Sequence, residues 1–263
     1  MSEERASATL PSSEQTVAPW PFPLWIAHRG AGKLAPENTL AAFRVGASHG
    51  HTAFECDVKL SADGVPFLLH DDTLERTTSG DGVAGERSWA ELARLDAGSW
   101  HSSAFAGEPI ASFEAIAAFC LANAHLLDLE IKPSPGTELE TGRVLGQWVR
   151  KLWRGAPVLL SSFKPQALLG ARESAPELPR ALLLDTLWPT CMEVAASLEC
   201  VAIITKQDLM DAALLNQVHS AGRRALVYTV NDSARARELI ALGIDGIVTD
   251  AVDAFSPGST LLP

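Results

Sequence analysis

Eight short apolar runs, alternating with longer stretches, most narrowly limit what this chain can fold into. They lie at Leu24–His28, Ala53–Lys59, Leu126–Lys132, Pro157–Phe163, Arg180–Leu184, Cys200–Thr205, Arg224–Val230 and Asp245–Thr249. Between them the apolar spacing becomes helical. Leu40, Phe43 and Ala47 fall at i, i+3 and i+7 within 38–49, and Leu139, Val144, Leu145, Trp148, Val149 and Leu152 fall broadly on one side of 139–153. Pro36-Glu37-Asn38-Thr39 is a helix-entry signal. Gly222 and Gly243 follow the stretches 214–221 and 234–242 as C-terminal stops. Strands alternating with helices predict βα units around a parallel sheet. Eight of them predict a (β/α)8 TIM barrel of the α/β class. A doubly wound sheet is the weaker alternative, because Gly30-Ala31-Gly32 does not complete a GxGxxG after the first run.

The rhythm breaks once, after the second run. Val65–His70 reads as a strand returning from the Ala62-Asp63-Gly64 turn, and residues 71–110 as a small insertion over the active-site end of the barrel. Residues 1–22 read as a flexible tail, 23–255 as one barrel domain and 256–263 as a C-terminal tail. The chain has 263 residues, the size at which such barrels run as a single domain. Apolar residues make up 47% and charged residues 20%, enough for a sizeable core.

Charge and cysteine content remove several function classes. The net charge of −11 argues against a nucleic-acid partner, which would select a basic face. An anionic substrate must therefore be drawn in by a local positive site. Cys56, Cys120, Cys191 and Cys200 form no CxxC pair, so a zinc site is not expected, and buried thiols in a reducing compartment are. The first 19 residues carry acids and no apolar core of a signal peptide. Nowhere do 18 apolar residues run uninterrupted, so no stable membrane insertion is expected, and a cytoplasmic location is.

In barrel enzymes the catalytic groups sit at the C-terminal ends of strands, so polar residues there are the informative ones. The first run ends in His28-Arg29-Gly30, the second contains Glu55-Cys56-Asp57, and the third contains Glu130-Ile131-Lys132. Strand side chains alternate faces, so Glu55 and Asp57 point together, as do Glu130 and Lys132. If that face is the lumen, three carboxylates converge and need a cation. Oxygen-only ligation suits a hard ion such as Mg²⁺ or Ca²⁺. Rim ion pairs with Lys59, Lys132 and Arg29 are the competing reading, and spacing alone leaves both open. His28 and His70 close runs at the same barrel end, where a pair of imidazoles can act as acid and base. His49, His51, His101, His125 and His219 lie in helical, loop or turn contexts and read as solvated or packed side chains.

Several motifs recur in order: His28-Arg29-Gly30, Pro36-Glu37-Asn38-Thr39, Glu55-Cys56-Asp57-Val58, Asp63-Gly64-Val65-Pro66, His70-Asp71 and Leu129-Glu130-Ile131-Lys132. With Tyr228-Thr229-Val230-Asn231-Asp232 and the segment 243–250, the chain resembles the glycerophosphodiester phosphodiesterase family over roughly 24–252. The resemblance implies hydrolysis of deacylated phospholipids to sn-glycerol 3-phosphate and an alcohol. It implies a divalent ion on Glu55, Asp57 and Glu130, with Mg²⁺ expected and Ca²⁺ or Mn²⁺ as alternatives. It makes His28 and His70 the acid and base, and Arg29 and Lys132 the phosphate holders. The partner it implies is a small glycerophosphodiester.

Tyr228 stands where many members of that family have Trp, and with Ser162 it is a candidate for the pocket wall. Ser161 and Lys206 are weaker candidates, while Trp100 and Phe105 are candidates for covering the substrate. Asn231-Asp232 reads foremost as a helix cap. Competing functions are a related lipid phosphodiesterase on the same barrel, a glycoside hydrolase using Glu55 and Glu130, and a noncatalytic barrel binding phosphorylated metabolites.

Overall fold

A computed structural model describes residues 20–154 and 156–257. In chain order the elements are β1 (Trp25–Ala27), α1 (Leu40–Ser48), β2 (Ala53–Leu60), β3 (Pro66–Leu68), α2 (Trp89–Leu92), α3 (Phe113–Ala122), β4 (Leu126–Ile131) and α4 (Glu138–Leu152). They continue with β5 (Val158–Ser162), α5 (Pro165–Ser174), β6 (Arg180–Leu184), α6 (Cys191–Ser197), β7 (Ala202–Lys206), α7 (Ala212–Ser220), β8 (Arg224–Tyr228), α8 (Ser233–Leu242) and β9 (Gly246–Thr249). Eight strands are parallel, and β1 pairs with both β2 and β9, which closes the ring into a (β/α)8 barrel. Each of the eight runs seen in the sequence supplies one of these strands.

β3 is the extra strand. It pairs antiparallel with the upper half of β2, Val58 against Leu68 and Leu60 against Pro66. The tight turn is built by Ser61, whose hydroxyl donates to Asp63 and accepts from the Val65 N–H. This hairpin carries the chain past the barrel rim and delivers His70 there.

Alternation sorts the strand side chains. On β2, Phe54, Cys56 and Val58 join the layer between sheet and helices, while Ala53 joins the lumen with Ile26, Leu159, Ala181, Leu183, Ile204, Leu226 and Val248. Glu55 and Asp57 therefore share the lumen face. The register sets Glu55 beside Asp128, and Asp57 beside Glu130 beside Ser161. Helix entries follow the capping rules. Thr39, Asp211 and Asp232 each accept a first-turn backbone N–H, and Gly243 ends α8 in the left-handed conformation.

The segment 71–110 holds α2 and two short 3-10 turns around a small apolar cluster of Phe67, Leu69, Leu74, Ala84, Leu92, Ala97 and Ile110. It is tied to the β1–α1 connection. Glu108 accepts the Ala41 N–H, and a His101 ring nitrogen lies 3.1 Å from the Lys33 carbonyl. At the opposite end Phe22 is buried in the lumen cluster, so the packed chain begins before the expected boundary at 23. The expected tail residues 1–19 and 258–263 lie outside the described residues.

Candidate active site

The site lies at the C-terminal ends of β1, β2, β4, β8 and β9. Glu55, Asp57 and Glu130 present carboxylate oxygens within 4.8 Å of one another, all three buried. Two cations reach the same carboxylates. Lys132 Nζ lies 3.0 Å from Glu130 and 3.5 Å from Asp57, and Arg29 Nε lies 3.3 Å from Asp57. Arg29 also donates its backbone N–H to Glu55 and its Nη1 to Glu37. Asn38 grips Asp57 twice, donating its amide to the carboxylate and accepting the Asp57 N–H. Lys59 takes no part in this cluster; it pairs with Asp72 at 2.7 Å.

The charges divide unequally. Burial works to raise Asp57, but Arg29 and then Lys132 overcome it and hold that carboxyl well below the usual range. Burial, then Asp57 and Glu130, pushes Glu55 well above it. Burial and then Asp57 push Glu130 up to about 8. The three carboxylates resist burial and repel one another. A divalent ion would offset both effects and satisfy an all-oxygen donor set, so the residues fit one.

Each histidine is held by an aspartate. His28 Nδ1 lies 2.5 Å from Asp250, with its Nε2 turned toward Glu55 at 3.7 Å. Asp250 is fixed in turn by the Asn231 amide, which donates to its carboxylate and accepts its backbone N–H. His70 Nδ1 lies 2.7 Å from Asp71. Donation of Nδ1–H to a carboxylate leaves Nε2 as the available nitrogen in both rings. Burial lowers the His70 pKa, which favours the neutral ring.

A cavity of about 180 Å³ opens beside the carboxylates, lined by His28, Arg29, Glu55, His70, Glu130 and Lys132 on one side. Phe163, Leu183, Ile204, Tyr228 and Val248 form an apolar wall, and Asp128, Ser161 and Thr229 complete the lining. Ser161 donates to Asp128 at 2.6 Å, and burial pushes Asp128 up to about 7. A second cavity of about 350 Å³ adjoins it across His70, Glu130, Lys132 and Phe163 and extends to Lys59, Asp72 and Lys164.

The structure thus brings together His28, His70, Arg29, Lys132, Glu55, Asp57 and Glu130. Tyr228 reaches the smaller cavity and hydrogen-bonds to the Leu184 carbonyl. Ser162 reaches only the larger one, with its hydroxyl engaged by the Ile131 carbonyl and the Lys164 N–H. Parity places Ser161, not Ser162, on the lumen face. Lys206 is exposed beside Asp208, and Trp100 and Phe105 line neither cavity.

Sequence reasoning missed Asp128, although it keeps the parity of Glu130. It also missed Asp250, directly after the last run. Glu37 and Asn38 stand in the sequence as a helix entry and part of a family motif, with no role at the site assigned to them. Asp232 is indeed the cap of α8, while Asn231 serves Asp250.

The sequence profile of the glycerophosphoryl diester phosphodiesterase family matches residues 28–254. YhdW of Bacillus subtilis (strain 168) is 34% identical over 238 residues, 87% of this chain and 94% of that protein. A glycerophosphodiester phosphodiesterase of Caldanaerobacter subterraneus subsp. tengcongensis is 30% identical over 231 residues, 86% of this chain and 93% of that protein. Among solved structures, the Oleispira antarctica phosphodiesterase OLEI02445, in complex with the product sn-glycerol-3-phosphate, superposes with a TM-score of 0.85. It is 34% identical and covers 88% of this chain and 94% of its own.

Proposed function

The chain belongs to the glycerophosphoryl diester phosphodiesterase family, and from that premise we propose how its site hydrolyses glycerophosphodiesters such as glycerophosphocholine or glycerophosphoethanolamine to sn-glycerol 3-phosphate and an alcohol. The observation that carries the reading is a cluster of three buried carboxylates beside one small cavity that Glu55, Glu130, two cations and two aspartate-held imidazoles line.

A phosphodiester is a monoanion, and its transition state gathers further negative charge on the nonbridging oxygens. Arg29 offers fork-like donors to those oxygens, and Lys132 a point charge. Glu55, Asp57 and Glu130 would hold a divalent ion, with Mg²⁺ our assignment, and it would supply positive charge to offset that negative charge. One of His28 and His70 takes the proton of the attacking hydroxyl through Nε2, and the other gives a proton to the departing alkoxide. The attacker is water, or the neighbouring glycerol hydroxyl, which gives a cyclic phosphate first that water then opens to glycerol 3-phosphate. The cavity of about 180 Å³, closed by an apolar wall and Tyr228, suits the glycerol end of the ester. The larger cavity beside it suits the alcohol.

No helix among the described residues is long and apolar enough to cross a membrane. The four cysteines are unpaired and buried, which supports our placing of the protein in the cytoplasm.

The test is release of glycerol 3-phosphate from glycerophosphocholine. EDTA should abolish it, and His28→Ala and His70→Ala should each lower it by roughly 10²–10⁴-fold. Undiminished turnover in metal-free protein sinks the ion's role. A wild-type rate in either variant removes that histidine.

A further inference from the structure

Arg76 lies outside every role assigned so far, on the segment that follows His70. One guanidinium there holds two carboxylates at once. Its Nε and Nη2 donate to Asp71 at 2.6 and 2.9 Å, and its Nη1 and Nη2 donate to Glu37 at 2.8 and 2.7 Å. Those carboxylates are the ones that hold the two sides of the reaction centre. Asp71 receives His70 Nδ1, and Glu37 Oε1 also receives Arg29 Nη1 at 2.7 Å. An unbroken chain of contacts therefore runs His70–Asp71–Arg76–Glu37–Arg29–Asp57.

We propose that Arg76 is a positioning residue, which sets His70 and Arg29 at a fixed separation across the bound phosphodiester by clamping Asp71 and Glu37 together. The inference rests on the roles given above to His70 and Arg29.

Exposed ion pairs usually contribute little to stability. Arg76 is exposed, so its importance here is geometric. A planar fork with five donors can satisfy two carboxylates in fixed directions, and an ammonium cannot. Without the clamp, Glu37 keeps only Arg29, and Asp71 keeps only its neighbour His70. Arg76 also balances the charge of both acids. Its hydrogen bonds are the first reason that Asp71 lies far below the usual carboxylate range, and on Glu37, which burial works to raise, they are the foremost of the contacts that bring the carboxyl below its ordinary value. Asp71 can thus orient the imidazole while its charge is matched. Polar contacts, the clamp among them, join the segment that bears Arg76 to the rim of β1, so the clamp also helps set where the segment meets the site.

The experiment compares Arg76→Met and Arg76→Lys with the wild type in two ways. The first is the nitrogen NMR spectrum of His70 in the metal-free protein, with His70→Gln used for assignment. The wild type should show a protonated Nδ1 and a bare Nε2, and Arg76→Met a mixture of tautomers. The second is turnover of glycerophosphocholine with Mg²⁺. In Arg76→Met, kcat should fall by roughly 10²-fold, the size expected for a misplacement of about 1 Å, and by more than KM rises. Arg76→Lys should recover little of it, although it keeps the charge. An unchanged His70 spectrum overturns the proposal, whether or not kcat falls, and so does full rescue by lysine. Glu55→Gln controls for the reaction itself. If it turns over like the wild type, or the wild type is inactive, the reading of function fails while the His70 spectrum still decides the role of Arg76.

Discussion

Asp250 does for His28 what Asp71 does for His70, yet the two aspartates reach their histidines differently. Asp71 is the next residue, whereas Asp250 arrives from the end of β9 and is itself steered by Asn231. The remote partner gives the sharper prediction. Asp250→Asn can donate its amide to Nδ1 and so favours the wrong tautomer of His28. It should lose a large part of the 10²–10⁴-fold that general acid–base catalysis supplies, with KM little changed. Steady-state kinetics on glycerophosphocholine check this, and a kcat near the wild-type value excludes an orienting role. At this scale the sequence was legible where polar residues interrupt apolar strands with period two, which is why Glu55, Asp57 and Glu130 stood out. Asp128 obeys the same period but stood unremarked between two leucines. Glu37 and Arg76 were hidden because they act through pairing across 39 residues, and no local spacing records that.

The β1–α1 connection is the element under most strain. Arg29 and Asn38 both adopt positive φ, at 49° and 61°, and Gly32 does so at 54°. Each departure has a use. It turns the Arg29 N–H to Glu55, sets Asn38 against Asp57, and lets the chain pass beneath the Asp250 backbone. A Cβ on Gly32 would stand 2.1 Å from the Asp250 carbonyl oxygen. Gly32→Ala should therefore cost at least the roughly 1–3 kcal/mol of a strained conformer and also loosen the His28–Asp250 pair. Thermal unfolding and turnover measured together check this; an unaltered melting temperature counts against it. The barrel strands were all legible as apolar runs, and the hairpin as a turn between them. The 71–110 segment was legible only as a break in rhythm, because its small apolar cluster draws on residues without a regular period and its seat rests on contacts to a distant loop. Lys59 illustrates the limit: it looked like a partner for the carboxylates, but the hairpin gives it to Asp72.

For the whole molecule, the buried acids link stability to pH and to the ion. Glu130 is raised from its ordinary value to about 8, and Glu55 is raised as well. Between the unfolded value of 4.5 and about 8, the metal-free folded chain holds more protons than the unfolded one. Its stability contribution from these acids is fully present below 4.5 and is lost as pH rises through the folded value. His51, His70 and His125, lowered first by burial, act in the opposite sense as pH falls through their range. The contributions of His51 and His125, which line neither cavity, cancel when samples with and without the ion are compared at one pH. The gain in melting temperature on adding Mg²⁺ should therefore grow from pH 5 to about 8 and then level off. Calorimetry at matched pH tests it, and an equal gain at both ends rules out ion binding at the expense of these protons.

The contact between His28 and Asp250 spans 222 positions. A polypeptide interrupted in translation before residue 250, or clipped there by a protease, keeps both histidines, the three acids and both cations, yet has nothing to steer one of its two imidazoles. The orientation of His28 accordingly depends on the strand that closes the barrel against β1.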